Sequence, residues 1–175
     1  MPRRDRVVIN TLPIPIYKNT RAHDNRAMRR TVRFGKTCVF TGLKHQCVEL
    51  ARRWCVRSKG ATFREVENAS DMASLRSGQC LTCCRPVRIS VSSLVRASSA
   101  SSGDLLVWKR GLPGQYRKTG HVAIVVNVEN DKDAVTVAEQ NGSTKNGHRI
   151  IRLNNAKTRR ALAGRLRVFP CTRCK

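Results

Sequence analysis

The sequence has few acidic residues, few aromatic residues and no long hydrophobic run. Only 11 of its 175 residues are Asp or Glu, against 35 Lys and Arg, so the formal charge at pH 7 is +24. This charge favours encounters with nucleic acid or other anionic polymers without specifying a fold. The two Trp, two Tyr and four Phe are too few for a base-stacking platform, which disfavours a catalytically inactive domain that binds nucleic acid.

The sequence also lacks the hydrophobic segments of membrane and secreted proteins. No run of about 18 apolar residues is present, so no membrane span is predicted. The start, MPRRDRVVINTLPIPIY, is basic, but Pro13 and Pro15 interrupt its apolar part and no clear cleavage site follows. We therefore expect a cytoplasmic protein whose eight cysteines are reduced.

Two pairs of cysteines have a spacing that zinc ligands often have, Cys80 with Cys83 and Cys171 with Cys174. The pairs lie far apart in the chain, and neither contains a glycine that would ease a tight turn. We therefore favour reduced thiols and expect no metal ligand and no cofactor.

The length fits one domain with a substantial core. Composition divides it into a basic N-terminal extension at 1–39, partly extended or disordered, and a domain at 40–170. A Ser-, Arg- and Cys-rich stretch at 72–102 lacks periodicity and is predicted to be a long connection, and 171–175 form a tail.

The segment 46–58 repeats polar and apolar residues with the period of a helix. Its charged side carries Glu49 and Arg53 in the order that suits an i, i+4 ion pair, and Gly60 supplies a stop. Strand patterns follow at 103–108, 120–128 and 134–140, and two more at 149–153 and 164–169. An early helix and late antiparallel strands predict an α+β domain.

Cys47 stands at the start of the predicted helix, where the helix dipole favours a thiolate and hence a nucleophile. Taken alone, it fits a small buried core residue better, because a free cysteine is commonly buried. A histidine beside it would take up the thiol proton and later protonate a leaving amine. The chain offers four histidines: His23, His45, His121 and His148.

Among these, His121 begins a strand and has polar residues on the next strand as neighbours. A hairpin that pivots at Asn130 pairs His121 with Glu139. A pivot one residue later pairs it with Asn141 and keeps Glu139 on the same face. Either residue could orient an imidazole, whereas a shift of the pairing by one residue would remove both partners.

The blocks FTGLKHQCVELARRW, FREVENASDM, GDLLVWKRG, TGHVAIVV and VTVAEQN fall in order over 40–71 and 103–141. They resemble the CHAP family, the cysteine- and histidine-dependent amidohydrolases and peptidases. Within it they are most similar to the amidase domains of bifunctional glutathionylspermidine and trypanothione synthetase-amidases. The resemblance implies a papain-like α+β fold, with the nucleophile helix packed on an antiparallel sheet.

The same resemblance implies a Cys-His-Glu site. Cys47 corresponds to the nucleophile, His121 to the general base and acid, and Glu139 to the residue that orients the imidazole. Gln46 corresponds to the side chain of the oxyanion hole, which acts with the Cys47 backbone N–H.

Three further positions follow from the resemblance. Arg52 and Asn141 match positions that line the substrate site in the family, although spacing alone fits Arg52 equally well to a solvated helix charge. His45 stands where these amidases commonly have a tryptophan.

The implied reaction is hydrolysis of a glutathione–polyamine amide, releasing glutathione and spermidine from glutathionylspermidine without a metal or organic cofactor. The chain has no counterpart of the ATP-dependent synthetase domain, so hydrolysis is the activity that the resemblance supports. The same type of site also serves peptidoglycan amidases and endopeptidases, and a basic surface suits an anionic cell wall. Cell-wall hydrolysis is therefore the alternative enzyme function.

Overall fold

The computed structural model describes residues 7–9, 12–17, 28–112, 116–142, 144, 146–172 and 174. Three short 3-10 helices occur in this part of the chain, at Ala69–Ser74, Ala97–Ser99 and Asn130–Lys132. No helix among the described residues has the length and hydrophobicity needed to span a bilayer. The strands and α-helices are β1 (Val7–Ile9), β2 (Ile16–Tyr17), β3 (Arg29–Phe34), β4 (Thr37–Leu43), α1 (Cys47–Lys59), β5 (Ala61–Thr62), β6 (Ser77–Cys80), β7 (Pro86–Ser92), β8 (Leu105–Trp108), β9 (His121–Glu129), β10 (Ala134–Ala138), β11 (His148–Arg152), α2 (Ala156–Ala161) and β12 (Leu162–Val168).

One antiparallel sheet organises the fold. Its strands lie in the order β11-β10-β9-β8-β12-β7-β6-β5, and each neighbouring pair is antiparallel. Leu50 and Ala51 of α1 pack into a buried core that also contains Val107, Val122 and Ile124 of the sheet. The predicted α+β class, with the Cys47 helix packed on an antiparallel sheet, is confirmed. The helix and the five strand patterns predicted from the sequence all form, with small differences at their ends.

Both faces of the sheet are covered. Along β8, Leu105 and Val107 lie in the core beneath α1, whereas Leu106 and Trp108 lie in a second core on the opposite face. All four side chains are buried because successive strand residues point to opposite faces and each face is packed. This explains why the strand appears in the sequence as a continuous apolar run.

The segment 72–102, predicted to be a long connection, instead contains two strands of the sheet. This segment forms β6 and β7, which pair with each other and join the sheet through β12. Beyond β7, Leu94 and Ala97 are buried in the second core and cover the sheet. In β7 only Val87 and Ile89 are fully buried, so the two-residue period is too short to stand out among serines and arginines.

Part of the predicted N-terminal extension packs on the domain. Ile14 and Ile16 are buried in the core that contains α1. β3 pairs with β4, and this hairpin buries Val32 against Val56 of α1. Residues 1–6, 10–11 and 18–27 of the extension lie outside the described residues, as do Arg173 and Lys175 of the predicted tail. The domain boundaries stay predictions.

The charged side of α1 is buried, which the amphipathic pattern does not predict. Glu49 is fully buried, and Arg53 and Arg52 are 3% and 6% exposed. The predicted pair forms, with Arg53 Nε donating to Glu49 Oε1 at 2.7 Å. Arg53 also donates to the carbonyl oxygen of Pro15 at 2.7 Å. The N-terminal segment therefore covers a helix face that would otherwise be solvated, and a buried ion pair satisfies its charges.

Replacing Glu49 by alanine should leave the buried Arg53 guanidinium without its carboxylate. We expect a loss of about 3–5 kcal/mol in the free energy of unfolding, because an uncompensated buried charge is costly. Urea denaturation of Glu49→Ala measures this loss. The exposed Glu67 provides the control, since Glu67→Ala should change stability by less than about 0.5 kcal/mol. Equal effects of the two substitutions would contradict the buried pair.

Candidate active site

Cys47 is the first residue of α1 and is 9% exposed. Gln46 before it has extended backbone angles, φ −90° and ψ 155°, so the helix begins at the cysteine. Backbone N–H groups of Val48 and Val122 both donate to the Cys47 sulfur. The sulfur therefore lies between the positive end of α1 and the start of β9, where a thiolate is favoured.

His121 begins β9 and is almost completely buried. The Tyr116 ring stacks on the imidazole with centroids 4.2 Å apart and planes within 2°, and the Trp108 ring lies 5.6 Å away. Gly120 before it has φ +69°, and a Cβ there would lie 2.4 Å from the Trp108 carbonyl oxygen. Only glycine therefore permits the close approach that brings β9 to the site.

Glu139 is the residue that contacts the imidazole. His121 Nε2 lies 3.1 Å from Glu139 Oε2, and both side chains are buried. The carboxylate is also held by Arg149 Nη2 at 3.1 Å and by the Thr144 hydroxyl at 3.3 Å. A Cβ on Gly142 would lie 2.2 Å from the Glu139 carboxyl carbon, so the loop can wrap the carboxylate only with glycine there.

The strand register answers which of the two predicted pairings is formed. Ala138, the last residue of β10, pairs with Ile124, which is the register expected from the later pivot. The pivot at Asn130 is therefore wrong, and the register of the later pivot is found only in the two pairs farthest from the turn. Glu139 stays on the same face and still reaches the imidazole.

A bulge in β9 separates this register from the one at the turn. Val125 pairs with Val137 and Asn127 with Thr136, which leaves Val126 as the extra residue. Val128, rather than the predicted Asn127, therefore packs with the core that contains Val125. A uniform two-residue period could not predict this change of face.

Opposite charges in the buried site shift each other's pKa. Burial by itself raises the pKa of Cys47 and lowers that of His121. Their mutual charge interaction and hydrogen bond act the other way and prevail, so the pKa of Cys47 is lowered and that of His121 is raised. Burial likewise raises the pKa of Glu139, but the His121 hydrogen bond and the Arg149 charge outweigh it and lower that pKa. Each of these shifts favours the charged form of its group, a thiolate, an imidazolium and a carboxylate.

Gln46 and Asn141 contact each other beside the cysteine. Asn141 Nδ2 donates to Gln46 Oε1 at 2.9 Å. This bond occupies the oxygen end of the Gln46 amide and leaves Nε2 as its donor end. The amide nitrogen of Gln46 is therefore the end of this side chain that can act as an oxyanion donor, and the Asn141 amide holds the opposite end.

Gln140, which the sequence analysis did not single out, connects α1 to the loop after β10. Its Nε2 donates to Glu49 Oε2 at 2.9 Å and to the Gln46 carbonyl oxygen at 3.1 Å. These bonds fix the first turn of α1 against the loop that carries Glu139 and Asn141. The sequence signal that could have indicated Gln140 was its position between Glu139 and Asn141 in the AEQN block.

Arg149 and Tyr116 were also missed. Arg149 lies in the predicted strand 149–153, but nothing in the sequence shows that β11 pairs with β10 and so brings this arginine to Glu139. Tyr116 belongs to the connection between β8 and β9, where no periodic pattern indicates its stacking on His121.

Arg52 and His45 occupy the flanks of α1. The Arg52 guanidinium lies 5.6 Å from the centroids of both Phe40 and Phe63, and its Nη2 is 3.5 Å from the Thr62 hydroxyl. Arg52 is thus packed among aromatic rings and is not a solvated charge. His45 is 8% exposed with φ 64°, and its ring lies 5.8 Å from that of Tyr17.

The described residues include one group suited to a metal ion. The sulfurs of Cys80, Cys83, Cys171 and Cys174 all lie within 4.8 Å of one another. The fold therefore brings together the two cysteine pairs, whose separation in the sequence had argued against a zinc site. This cysteine cluster is separate from Cys47 and His121.

Comparison with known proteins places the site in a family. The CHAP domain matches residues 39–141, more than half of the chain, and this range includes Cys47, His121 and Glu139. The chain belongs to the CHAP domain family. The resemblance noted in the sequence is thereby confirmed, and the family supports an amidohydrolase.

Curated relatives of this CHAP protein are similar over the same region. The bifunctional glutathionylspermidine synthetase/amidases of Escherichia coli (strain K12) and Shigella flexneri are each 36% identical over 108 residues. That alignment covers 58% of this chain and 16% of each relative, so the chain spans a small part of their length. A solved structure of N-acetylmuramoyl-L-alanine amidase from Staphylococcus aureus is 15% identical, with a TM-score of 0.47, over 87% of this chain and 37% of that one.

Cys47 should react with iodoacetamide faster than the other cysteines near neutral pH, because the thiolate is the reactive form. Its rate should rise with pH through the lowered pKa and level off below about pH 8.5, the ordinary cysteine value. Mass-spectrometric peptide mapping of the labelled chain measures the rate at each cysteine.

Two cysteines serve as internal controls. Cys55 lies on the same helix, but burial raises its pKa to about 12, and it should stay unlabelled. Cys38 is exposed and reports access of the reagent. His121→Ala should slow labelling of Cys47 and leave Cys38 unchanged. Labelling of Cys47 no faster than that of Cys38 would contradict the ion pair.

Proposed function

We propose that this CHAP protein is a thiol amidase that uses Cys47, His121 and Glu139. The observation that carries the proposal is the continuous contact of three buried groups, with Cys47 hydrogen-bonded to His121 and His121 Nε2 3.1 Å from Glu139. Glu139 holds the imidazole in one orientation and stabilises its protonated form. Because Nε2 faces Glu139, Nδ1 is the nitrogen that serves the thiol.

The first half of the reaction forms a thioester. The Cys47 thiolate attacks the amide carbonyl carbon, and the electrons of the C=O bond move to oxygen. The Cys47 backbone N–H and Gln46 Nε2 donate to that oxyanion. The imidazolium of His121 protonates the amine nitrogen as the C–N bond breaks, and the amine leaves.

The second half uses water. Neutral His121 accepts a proton from water as the water oxygen attacks the thioester carbon. Collapse of the tetrahedral intermediate breaks the C–S bond and releases the carboxylic acid product, and the thiolate and imidazolium are regenerated. The step is a hydrolysis without redox change. Activity should therefore decline at alkaline pH as the raised pKa of His121 is passed, since the acid for the leaving amine is lost.

The proposed substrate is a glutathione–polyamine amide, cleaved at the glycyl carbonyl to give glutathione and spermidine. The support is the 36% identity with proteins named glutathionylspermidine synthetase/amidase over the region that contains the site. Arg52 and Asn141 are proposed to contact this substrate. Localisation in the cytoplasm, where such conjugates and reduced thiols would be found, remains a prediction.

A second candidate substrate is peptidoglycan, and the charge of the chain favours it. A protein with a formal charge of +24 attracts an anionic polymer and repels a polycationic amide. The same field predicts nonspecific, salt-sensitive contact with other anionic polymers, including nucleic acid.

Incubation with glutathionylspermidine and with purified cell wall separates the two substrates. We expect spermidine and glutathione from the first, with a rate that rises with salt as the repulsion is screened. Cleavage of the wall should instead slow as salt increases. Release of wall fragments together with an inert glutathionylspermidine would overturn the substrate proposed first.

The roles of the residues are tested on whichever amide is cleaved. Cys47→Ala should lower activity by about 1000-fold or more, because the covalent route is lost. Gln46→Ala should lower kcat by about 100- to 1000-fold, the cost of one oxyanion donor, and change KM much less. The control is Glu67→Ala at an exposed position, which should retain activity. A fully active Cys47→Ala protein would exclude the thioester mechanism.

A further inference from the structure

The cluster of Cys80, Cys83, Cys171 and Cys174 lies outside the proposed active site, and the reaction does not use it. The Cys80 sulfur lies 3.3 Å from that of Cys174, and the Cys83 sulfur 3.6 Å from that of Cys171. The Cys174 sulfur is 3.4 Å from Cys171 and 2.8 Å from Cys83. Four thiols from two distant segments therefore converge on one point.

The strand order explains this convergence. β12 runs antiparallel to β7, with Val168 opposite Ile89, so the chain leaves β12 beside the start of β7. The Phe169 N–H continues this pairing by donating to the Arg88 carbonyl oxygen at 3.1 Å. The turn between β6 and β7 lies at the same end and carries the first cysteine pair, and Cys171 follows β12 by only a few residues.

The turn between β6 and β7 is shaped around the Cys80 sulfur. The backbone N–H groups of Thr82 and Cys83 donate to this sulfur, as outer hydrogen bonds commonly do to a metal ligand. Cys84 has φ 58° and donates its N–H to the Cys80 carbonyl oxygen at 3.0 Å. Cys84 thus supplies the left-handed backbone conformation that a tight turn needs, although it is not a glycine.

From this geometry we propose that the four cysteines bind one structural Zn²⁺ ion. Zinc–sulfur bonds of about 2.3 Å in a tetrahedron place the sulfurs about 3.8 Å apart. Here all four sulfurs lie within 4.8 Å of one another, so small rotations of the side chains bring them to that spacing. Four thiolates in a tetrahedral set are typical of zinc or iron sites, and the small spacing accommodates a single ion rather than a cluster. Every separation also exceeds the bond length of about 2.05 Å in a disulfide.

Zinc binding would displace the thiol protons and leave a centre with two negative charges, in a chain whose formal charge is +24. A closed site with four protein ligands has no open position for a substrate, so the role is structural. The ion would connect the segment after β12 to the β6–β7 turn. This turn contacts α1, since the Leu81 N–H donates to the carbonyl oxygen of Gly60, the residue that ends the helix.

The test uses the full chain, produced with added zinc and purified without chelator, with the metal measured by mass spectrometry. We expect about one zinc per chain in the wild type. Cys174→Ser and Cys171→Ser should lose it. Cys84→Ser is the matched control, because Cys84 is an exposed thiol of the same turn outside the cluster, and it should keep the ion. Removing zinc should lower the melting temperature of the wild type and of Cys84→Ser by about 5 °C or more, with no effect on Cys174→Ser.

A second measurement on the wild-type chain does not depend on folding of the variants. A mercurial thiol reagent should release the zinc in step with modification of the cluster, and Co²⁺ in its place should give the absorption of a tetrahedral thiolate complex. A chain without metal after zinc supplementation, one that holds iron instead, or one whose mass shows two disulfides would each overturn the proposal. Iodoacetamide labelling of Cys47 in the same samples reports the active site separately, so failure of one proposal is distinguishable from failure of the other.

Discussion

The Glu49 carboxylate, buried in the first turn of α1, is the group on which the geometry of the site depends. A buried carboxylate must be paired and hydrogen-bonded, and its partners come from Arg53 on the same helix and Gln140 in the loop after β10. Gln140 also donates to the carbonyl oxygen of Gln46, at the point where the helix begins. The network therefore joins the segment that carries the nucleophile to the loop that carries Glu139. A Cys-His-Glu site requires these two segments to keep a fixed position relative to each other.

A second consequence of burial is that the charged forms of the site residues depend on one another. Cys47, His121 and Glu139 are each removed from water, and each would favour its neutral form if it were alone. Each charged form is stabilised by the charge of its neighbour, and Arg149 stabilises the Glu139 carboxylate at the end of the series. Tyr116 stacks on the imidazole and limits its contact with water, which strengthens the attraction between these charges. Negative and positive groups thus alternate from Cys47 to Arg149, and each stabilises the charge of its neighbours.

Patterns that repeat over several residues were predictable from the sequence, and contacts between distant segments were not. The 3.6-residue period of α1 and the apolar runs of β8 and β9 indicated an α+β fold, and ordered sequence blocks indicated Cys47, His121 and Glu139. The weak alternation of β7 was lost among serines and arginines. The bulge at Val126 changed the strand register by one residue, which no period can show. Arg149 reaches Glu139 only through the pairing of β10 with β11.

The edge of the sheet next to α1 has little else to stabilise it, and this is why a metal ion suits that place. β5 has two residues and β6 has four, too few for a stable edge from backbone hydrogen bonds alone. Gly78 of β6 approaches the Thr62 carbonyl so closely that a Cβ would lie 2.4 Å from the oxygen, so this strand has no side chain at its centre. The buried apolar side chains of these two strands are Ala61 and Cys80, which is 2% exposed, and both lie in the core with α1. A bond from that sulfur to an ion shared with the chain after β12 would supply the cohesion that side-chain packing does not, and would hold the end of the helix that begins with the nucleophile.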